Sequence, residues 1–411
     1  MSKRKSIRKE QDSTPSSKKT AKQYDEYADV TNDDLRMRLK EAGEDPGPIN
    51  DGNRDLYVRL LMKKESAATP LKTLATTRIL TATPTSSQSP TSSSLIGRSG
   101  GGRGTKKNKT TETKGLVAAV YTPFGDDGEL KLSVLPKYVN HLLATGVHHV
   151  FVNGTTGEGL SLTIEERKQV AVEWVQVAKG RLTIIVHVGC ENLKSSCDLA
   201  MHAEAIGANA IAVMPPSFFK PPNMDSLIQY VRIVAGAAPN TSLYYYHLPS
   251  WTGVDFPMEQ LLDAQSLIPT LKGIKYSTQD LSQFSRCLTH SGGKMQLFYG
   301  CDQQLLGALA MGGDAAIGST YNYAGKLYNR LIGAMNKGDL ITAQLEQRRA
   351  QSMVCIILKY GHGNAISAGK HIMNLLGVDV GPPRLPVLPI GDEDMKLLEA
   401  HLKDIGFFTW N

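Results

Sequence analysis

Lys275 closes the apolar run Leu271-Lys-Gly-Ile-Lys275, one strand-length segment after Tyr244-Tyr245-Tyr246, and so places an amine near a phenol. A lysine taken inside β-structure loses hydration, which favours the neutral amine, and a neutral amine adds to a ketone to form an imine. A strand-end lysine more often points into water, so the reading depends on its surroundings. Alternation along a strand puts Tyr244 and Tyr246 on one face, and Gly273 and Lys275 on one face. If both faces turn inward, Tyr246 meets Lys275, and glycine at 273 leaves room beside the lysine. A phenol in that position can carry the proton that an aldol cleavage moves to and from a hydroxyl. The stretch Gly154-Thr-Thr-Gly-Glu158 adds two hydroxyls, Thr155 and Thr156, in a turn read as opening a helix. Hydroxyls, amide N–H groups and a helix dipole suit a substrate carboxylate. Alone the motif is an ordinary tight turn; beside Lys275 and Tyr246 it reads as part of a site.

Such groups need a frame. From Gly115 onward, apolar β-branched runs recur at 116–121, 149–152, 183–188, 210–214, 242–246, 271–276, 295–299 and 315–317, with amphipathic stretches such as 163–179 and 193–206 between them. Eight strand–helix alternations over about 220 residues fit an α/β chain folded as a (β/α)8 TIM barrel, whose reactive groups lie at the carboxyl ends of the strands. Residues 340–408 read as additional C-terminal helices packed outside it. The expected organisation is a basic disordered tail at 1–22, a small all-α helix-loop-helix module at 23–64, a disordered Ser/Thr/Pro/Gly-rich basic linker at 65–114, and the barrel at 115–411. In the module, Thr31 caps a first helix with Asp33 and Asp34 in its first turn and Leu35, Leu39 and Ala42 on one stripe; Leu56, Leu60 and Leu61 mark a second.

The net charge of +7 is unevenly spread: residues 1–22 carry +6 and residues 98–114 carry +5, leaving −4 for the rest. The basic character therefore belongs to the arms, which suit an acidic partner, an import receptor or plain solvation. Five cysteines without metal-ligand or CxxC spacing suggest neither a disulfide framework nor a zinc site. No apolar run approaches the ~20 residues of a membrane span, and no signal-peptide core opens the chain. These features predict an intracellular protein, cytoplasmic or nuclear. His148 and His149 read as structural, His187 and His247 as supporting groups rather than metal ligands. No metal or cofactor is expected, since imine chemistry uses the protein's own lysine.

Several motifs carry a resemblance that covers nearly all of the barrel region: Phe151-Val-Asn-Gly-Thr-Thr-Gly-Glu-Gly-Leu-Ser161, Tyr244-Tyr-Tyr-His-Leu-Pro249, Gly273-Ile-Lys-Tyr-Ser277, Gly318-Ser-Thr-Tyr-Asn322 and Gly381-Pro-Pro-Arg-Leu-Pro386. Together they resemble the pyruvate-dependent class I aldolases, the group of the N-acetylneuraminate lyases and dihydrodipicolinate synthases. The resemblance implies a Schiff-base role for Lys275, proton relay by Tyr246, and carboxylate contacts from Thr155 and Thr156. It implies that Ser277, Gly300, Asp302, Gln303 and Ser319 hold the hydroxylated part of a sugar acid, and that the protein is a homotetramer. Synthases carry Pro-Ser-Arg-Thr-Gly after the tyrosine strand; here Pro249-Ser-Trp-Thr-Gly253 stands instead, and Trp251 cannot make the arginine's bidentate ion pair. The lyase branch is favoured accordingly, toward sialic acid and pyruvate as small-molecule substrates. Gln303 departs from the glutamate usual in the lyases, which bears on substrate preference rather than on imine chemistry. Residues 23–64 resemble a LEM domain, on Asp33-Asp-Leu-Arg-Met-Arg-Leu39, Gly43-Glu-Asp-Pro-Gly-Pro-Ile49 and Asn53-Arg-Asp-Leu-Tyr57. That resemblance implies barrier-to-autointegration factor or DNA as a partner.

Overall fold

The computed structural model describes residues 113–290 and 292–410 and, before them, residues 27, 30–42, 49, 54, 58, 61 and 62. The chain divides into two compact units, residues 1–103 and 104–411.

In the first unit a helix spans Asn32–Glu41. Thr31 accepts from the Asp34 amide (3.1 Å), satisfying one of the orphan N–H groups of the first turn, and Asp33 and Asp34 complement the dipole there. Leu35 and Leu39 are fully buried against Tyr27, Val58 and Leu61. Arg54 donates to Asn32 Oδ1 (2.5 Å) and to the Tyr27 carbonyl (3.0 Å), bracing the start of the helix. Val58 joins Leu61 in this core. Leu56 and Leu60, expected on the second stripe, lie outside the described residues, as do the basic tail and nearly all of the 65–114 linker.

In the second unit, eight strands close a parallel barrel in chain order. They are β1 (Gly115–Ala119), β2 (His149–Val152), β3 (Thr183–His187), β4 (Ala210–Val213), β5 (Ser242–His247), β6 (Leu271–Tyr276), β7 (Gln296–Tyr299) and β8 (Ala315–Gly318). Each leads to a helix, from Leu135–Ala144 after β1 to Tyr321–Asn336 after β8. Helices Leu340–Tyr360, Ala365–Leu375 and Asp392–Asp404 follow, in the span expected for additional C-terminal helices. The two-residue period of the strands divides their side chains. Val117, Ala119, Phe151, Ile185, Tyr244, Tyr246, Phe298 and Ile317 pack inside the barrel. Leu116, Val150, Ile184, Tyr245, Ile274 and Tyr276 pack in the layer beneath the helices. At about 1.5–3 kcal/mol for each large apolar side chain taken from water, that outer layer is the larger driving force.

One irregularity positions the site. Leu243 pairs with Leu271 but Tyr244 pairs with Gly273, so β6 carries one extra residue, Lys272, at that step. The shift sets Tyr246 directly opposite Lys275. Gly273 is needed for a different reason from the one expected. A Cβ there would run into the carbonyl oxygen of Gln296 on β7, so the glycine admits the neighbouring backbone rather than making space for the lysine.

Candidate active site

Lys275 stands at the carboxyl end of β6, 4% exposed, with its Nζ 3.6 Å from the centroid of the Tyr246 ring and 4.4 Å from that of Phe151. Aromatic faces hold a cation without giving it a proton acceptor, so the amine is placed without a carboxylate clamped to it. Tyr246, from β5, is equally buried, and its hydroxyl lies 3.1 Å from Thr155 Oγ1. Amine, phenol and the first threonine of the turn thus form one continuous chain of contacts at the barrel's mouth. Thr156 follows, half-buried.

The turn differs from expectation in one respect. No α-helix starts at Thr155 or Thr156: the Glu158 amide donates to the Thr155 carbonyl (3.0 Å), a short 3-10 segment spans Gly159–Ser161, and the α-helix begins only at Ile164. Its start is set by a capping box, in which Thr163 Oγ1 accepts from the Glu166 amide and Glu166 accepts from the Thr163 amide. That strong local signal, eight residues past Thr155, takes the helix dipole away from the turn. Hydroxyls and turn amides remain for an anion there.

The other expected residues also lie at the carboxyl ends of strands. Ser277 follows β6 and donates its amide to the His247 carbonyl (2.9 Å); Gly300 follows β7 and donates to the Tyr276 carbonyl (2.8 Å). Asp302 begins a 3-10 turn, and Ser319 follows β8, half-buried. Asp302 is 6% exposed; its Oδ2 accepts from the amide and hydroxyl of Thr320 (2.9 and 2.6 Å), while its Oδ1 is buried without a hydrogen-bond partner. Burial raises the Asp302 carboxyl above its ordinary range, against the donors of Thr320 and the charge of Lys275. A Cβ at Gly318 would occupy the space of this carboxylate. Gln303 is tied through its carbonyl to Gln351 Nε2 (3.3 Å). Trp251, in the short helix Pro249–Thr252, is 67% exposed.

Two neighbours, Phe151 and Lys370, were not singled out from the sequence; a third, His187, is the supporting group that the sequence suggested. Phe151 faces inward by the same period that places Tyr246, and it forms part of the lysine's aromatic seat. His187 ends β3 with its ring 5.8 Å from that of Tyr246; its Nδ1 lies 3.1 Å from the Asn153 carbonyl. Burial, then the charges of Arg167 and Lys275, push its pKa well down, so it stays neutral. Lys370, on the helix Ala365–Leu375, reaches Glu158 beside the turn, a link with no local signal in the sequence. His247, by contrast, packs outward between Tyr245 and Tyr276, and burial lowers its pKa to about 4.

A (β/α)8 barrel with a buried lysine on β6, seated on a tyrosine from β5, defines a class of lysine-bearing barrels. Residues 112–405 match the model of the dihydrodipicolinate synthetase family, and the chain belongs to that family. Residues 26–69 match the LEM domain model. The N-acetylneuraminate lyase of Rattus norvegicus is 46% identical over 302 residues, covering 72% of this chain and 94% of that protein. That of Homo sapiens is 45% identical over the same length and coverage. Among solved structures, Proteus mirabilis N-acetylneuraminate lyase superposes with a TM-score of 0.69 at 39% identity, covering 72% of this chain and 100% of that one. The sialic acid aldolase of Aliivibrio salmonicida gives 0.70 at 36% identity, covering 72% and 98%.

Proposed function

We propose that the barrel is a Schiff-base aldolase that reversibly cleaves N-acetylneuraminate to N-acetyl-D-mannosamine and pyruvate. The observation that carries the reading is the buried Lys275 amine resting on Tyr246, whose hydroxyl in turn meets Thr155. The amine adds to the 2-oxo carbon of the open-chain sugar acid, water leaves, and an iminium forms. That cation draws the electron pair of the C3–C4 bond, releasing the aldehyde and leaving an enamine, while the C4 hydroxyl proton is relayed through the Tyr246 phenol, which receives it as its own proton passes on to C3. Protonation at C3 and hydrolysis release pyruvate and restore the amine. Thr155 and Thr156 hold the carboxylate throughout. Ser277, Gly300, Gln303 and Ser319 line the sugar's path, and the unpartnered Asp302 Oδ1 is a ready acceptor for one of its hydroxyls. The lyases cited above support this branch of the family, as does Trp251 in place of a synthase arginine. Turnover should favour N-acetylneuraminate over shorter 2-oxo-3-deoxy acids and over aspartate semialdehyde with pyruvate. Equal rates across that panel contradict the assignment.

The 1–22, 23–64, 65–114 and 115–411 division is part of the same proposal, with the protein acting as a homotetramer in cytoplasm or nucleus. Among the described residues no helix is long and apolar enough to cross a membrane. The LEM match favours a second activity in the first unit, binding of barrier-to-autointegration factor or DNA. Retention of either by the full chain, but not by a chain lacking residues 23–64, is the expected result; equal retention by both contradicts it.

A further inference from the structure

The turn that presents Thr155 and Thr156 is held from beneath by charges that the imine chemistry does not use. Glu158 ends this turn in a left-handed conformation (φ 54°), which a residue with a side chain adopts only where its surroundings impose it. Its carboxylate is buried, and Oε1 lies 2.8 Å from Lys370 Nζ, both side chains being 1% exposed. Oε2 accepts from the Arg384 amide (2.7 Å). The Lys370 ammonium donates to the carbonyls of Thr122 and Pro382, each at 2.9 Å, so with the paired carboxylate it has oxygens from three separate segments around it. Thr122, just past β1, returns a hydroxyl to the Gly157 carbonyl (2.6 Å), gripping the turn from its other side. Phe124 touches both cations, with Lys370 Nζ 4.4 Å and the Arg384 guanidinium 4.5 Å from its ring centroid. The Arg384 guanidinium closes the assembly with two bonds to Glu166 (2.6 and 2.9 Å) and one to the Ser161 carbonyl (3.1 Å).

A buried ion pair rarely stabilises a fold more than apolar packing of the same volume, whereas its directional bonds fix geometry. Here the geometry fixed is that of a turn whose Thr155 hydroxyl meets Tyr246 at 3.1 Å. We propose that Glu158 and Lys370 are positioning residues for the substrate's carboxylate, and that the C-terminal segment carrying Pro382 and Arg384 is thereby a working part of the active site. The proposal rests on the reading of Thr155 and Thr156 as the carboxylate contacts. It accounts for the extension of the chain past the eighth strand and its helix: the helix Ala365–Leu375 delivers an ammonium under the turn, and residues 381–384 cap it.

The test uses the full chain and two substitutions, Lys370→Met and Glu158→Gln, separately and together. Pyruvate with borohydride reads how much pyruvate half-saturates Lys275, and hydrogen exchange reads the turn itself. Lys370→Met leaves Glu158 buried without its cation; the half-saturating pyruvate concentration should rise at least about tenfold, the loss of one charge-assisted hydrogen bond. Maximal adduct yield should hold, and exchange should quicken at residues 154–159 while the strands stay protected. Adding Glu158→Gln removes the stranded charge, keeps an acceptor for the Arg384 amide, and should recover most of the loss. A Lys370→Met protein that melts lower yet is half-saturated at the wild-type concentration, with unchanged exchange in the turn, overturns the proposal. If Lys370→Met does not fold, Glu158→Gln alone carries the test, and an unchanged half-saturation and turn exchange again overturn it. Absence of any adduct on the wild-type protein refutes the Schiff-base reading instead, while exchange at 154–159 still decides whether the pair positions the turn.

Discussion

Replacing Tyr246 by phenylalanine separates the two tasks assigned to this side chain. The ring supports the Lys275 amine at 3.6 Å and packs edge-on against Phe151 and His187 at 5.6 and 5.8 Å. Phenylalanine keeps that ring, so the lysine should remain seated. What is lost is one hydroxyl, bonded to Thr155 at 3.1 Å. A single neutral hydrogen bond of this kind contributes about 0.5–1.5 kcal/mol to stability, so the fold should survive with a modestly lower Tm. The catalytic loss is larger. A positioned proton-transfer group contributes roughly 10²–10⁴ in rate, or about 3–5 kcal/mol of barrier at about 1.4 kcal/mol per decade. Pyruvate release from N-acetylneuraminate should therefore fall by about 10²–10⁴ in kcat, while borohydride still traps pyruvate on Lys275. Cleavage within about tenfold of wild type would refute proton transfer by Tyr246. Loss of trapping together with cleavage would mean that the hydroxyl organises the lysine rather than moving a proton.

Two further predictions concern the frame. Gly273→Ala drives a Cβ into the backbone of Gln296; neither strand can yield without disturbing the β6–β7 pairing, so a cost of about 3 kcal/mol is expected. A Tm unchanged by this substitution would contradict the close approach. The pairing of Arg384 with Glu166 holds that carboxyl below its ordinary 4.5. A depressed carboxylate pKa adds stability above the unfolded value, and that stability is lost as pH falls through the folded value. The Tm difference between wild type and Glu166→Gln should therefore be present at about pH 6 and shrink toward about pH 3; a difference constant across that range would contradict the linkage.

Much of the barrel was legible because its determinants are local. Apolar runs of strand length located all eight strands, and the period of two put Tyr244 with Tyr246 and Gly273 with Lys275 on shared faces, which the fold turns inward. What the sequence concealed was set by contacts between distant segments. Gly273 is demanded by a carbonyl on the next strand, which no local pattern reveals. The helix after β2, Ile164–Ala178, fills the amphipathic stretch 163–179 read from the sequence; only the turn at 154–158 was misread as opening a helix, because the local capping box at Thr163 and Glu166 sets the start. Phe151 could have been found by extending to β2 the alternation used for β5 and β6. Lys370 could not: its partners Glu158, Thr122 and Pro382 come together only when the C-terminal helices fold back on the barrel.

The central claim is that Lys275 forms an imine with a 2-oxo acid. Incubating the full chain with pyruvate, reducing with borohydride and mapping the modified peptide by mass spectrometry tests it most directly. One reduced pyruvyl adduct per chain, on Lys275, and none in Lys275→Met, is the predicted result. A folded protein that gives no adduct, or carries it on another lysine, would contradict the account.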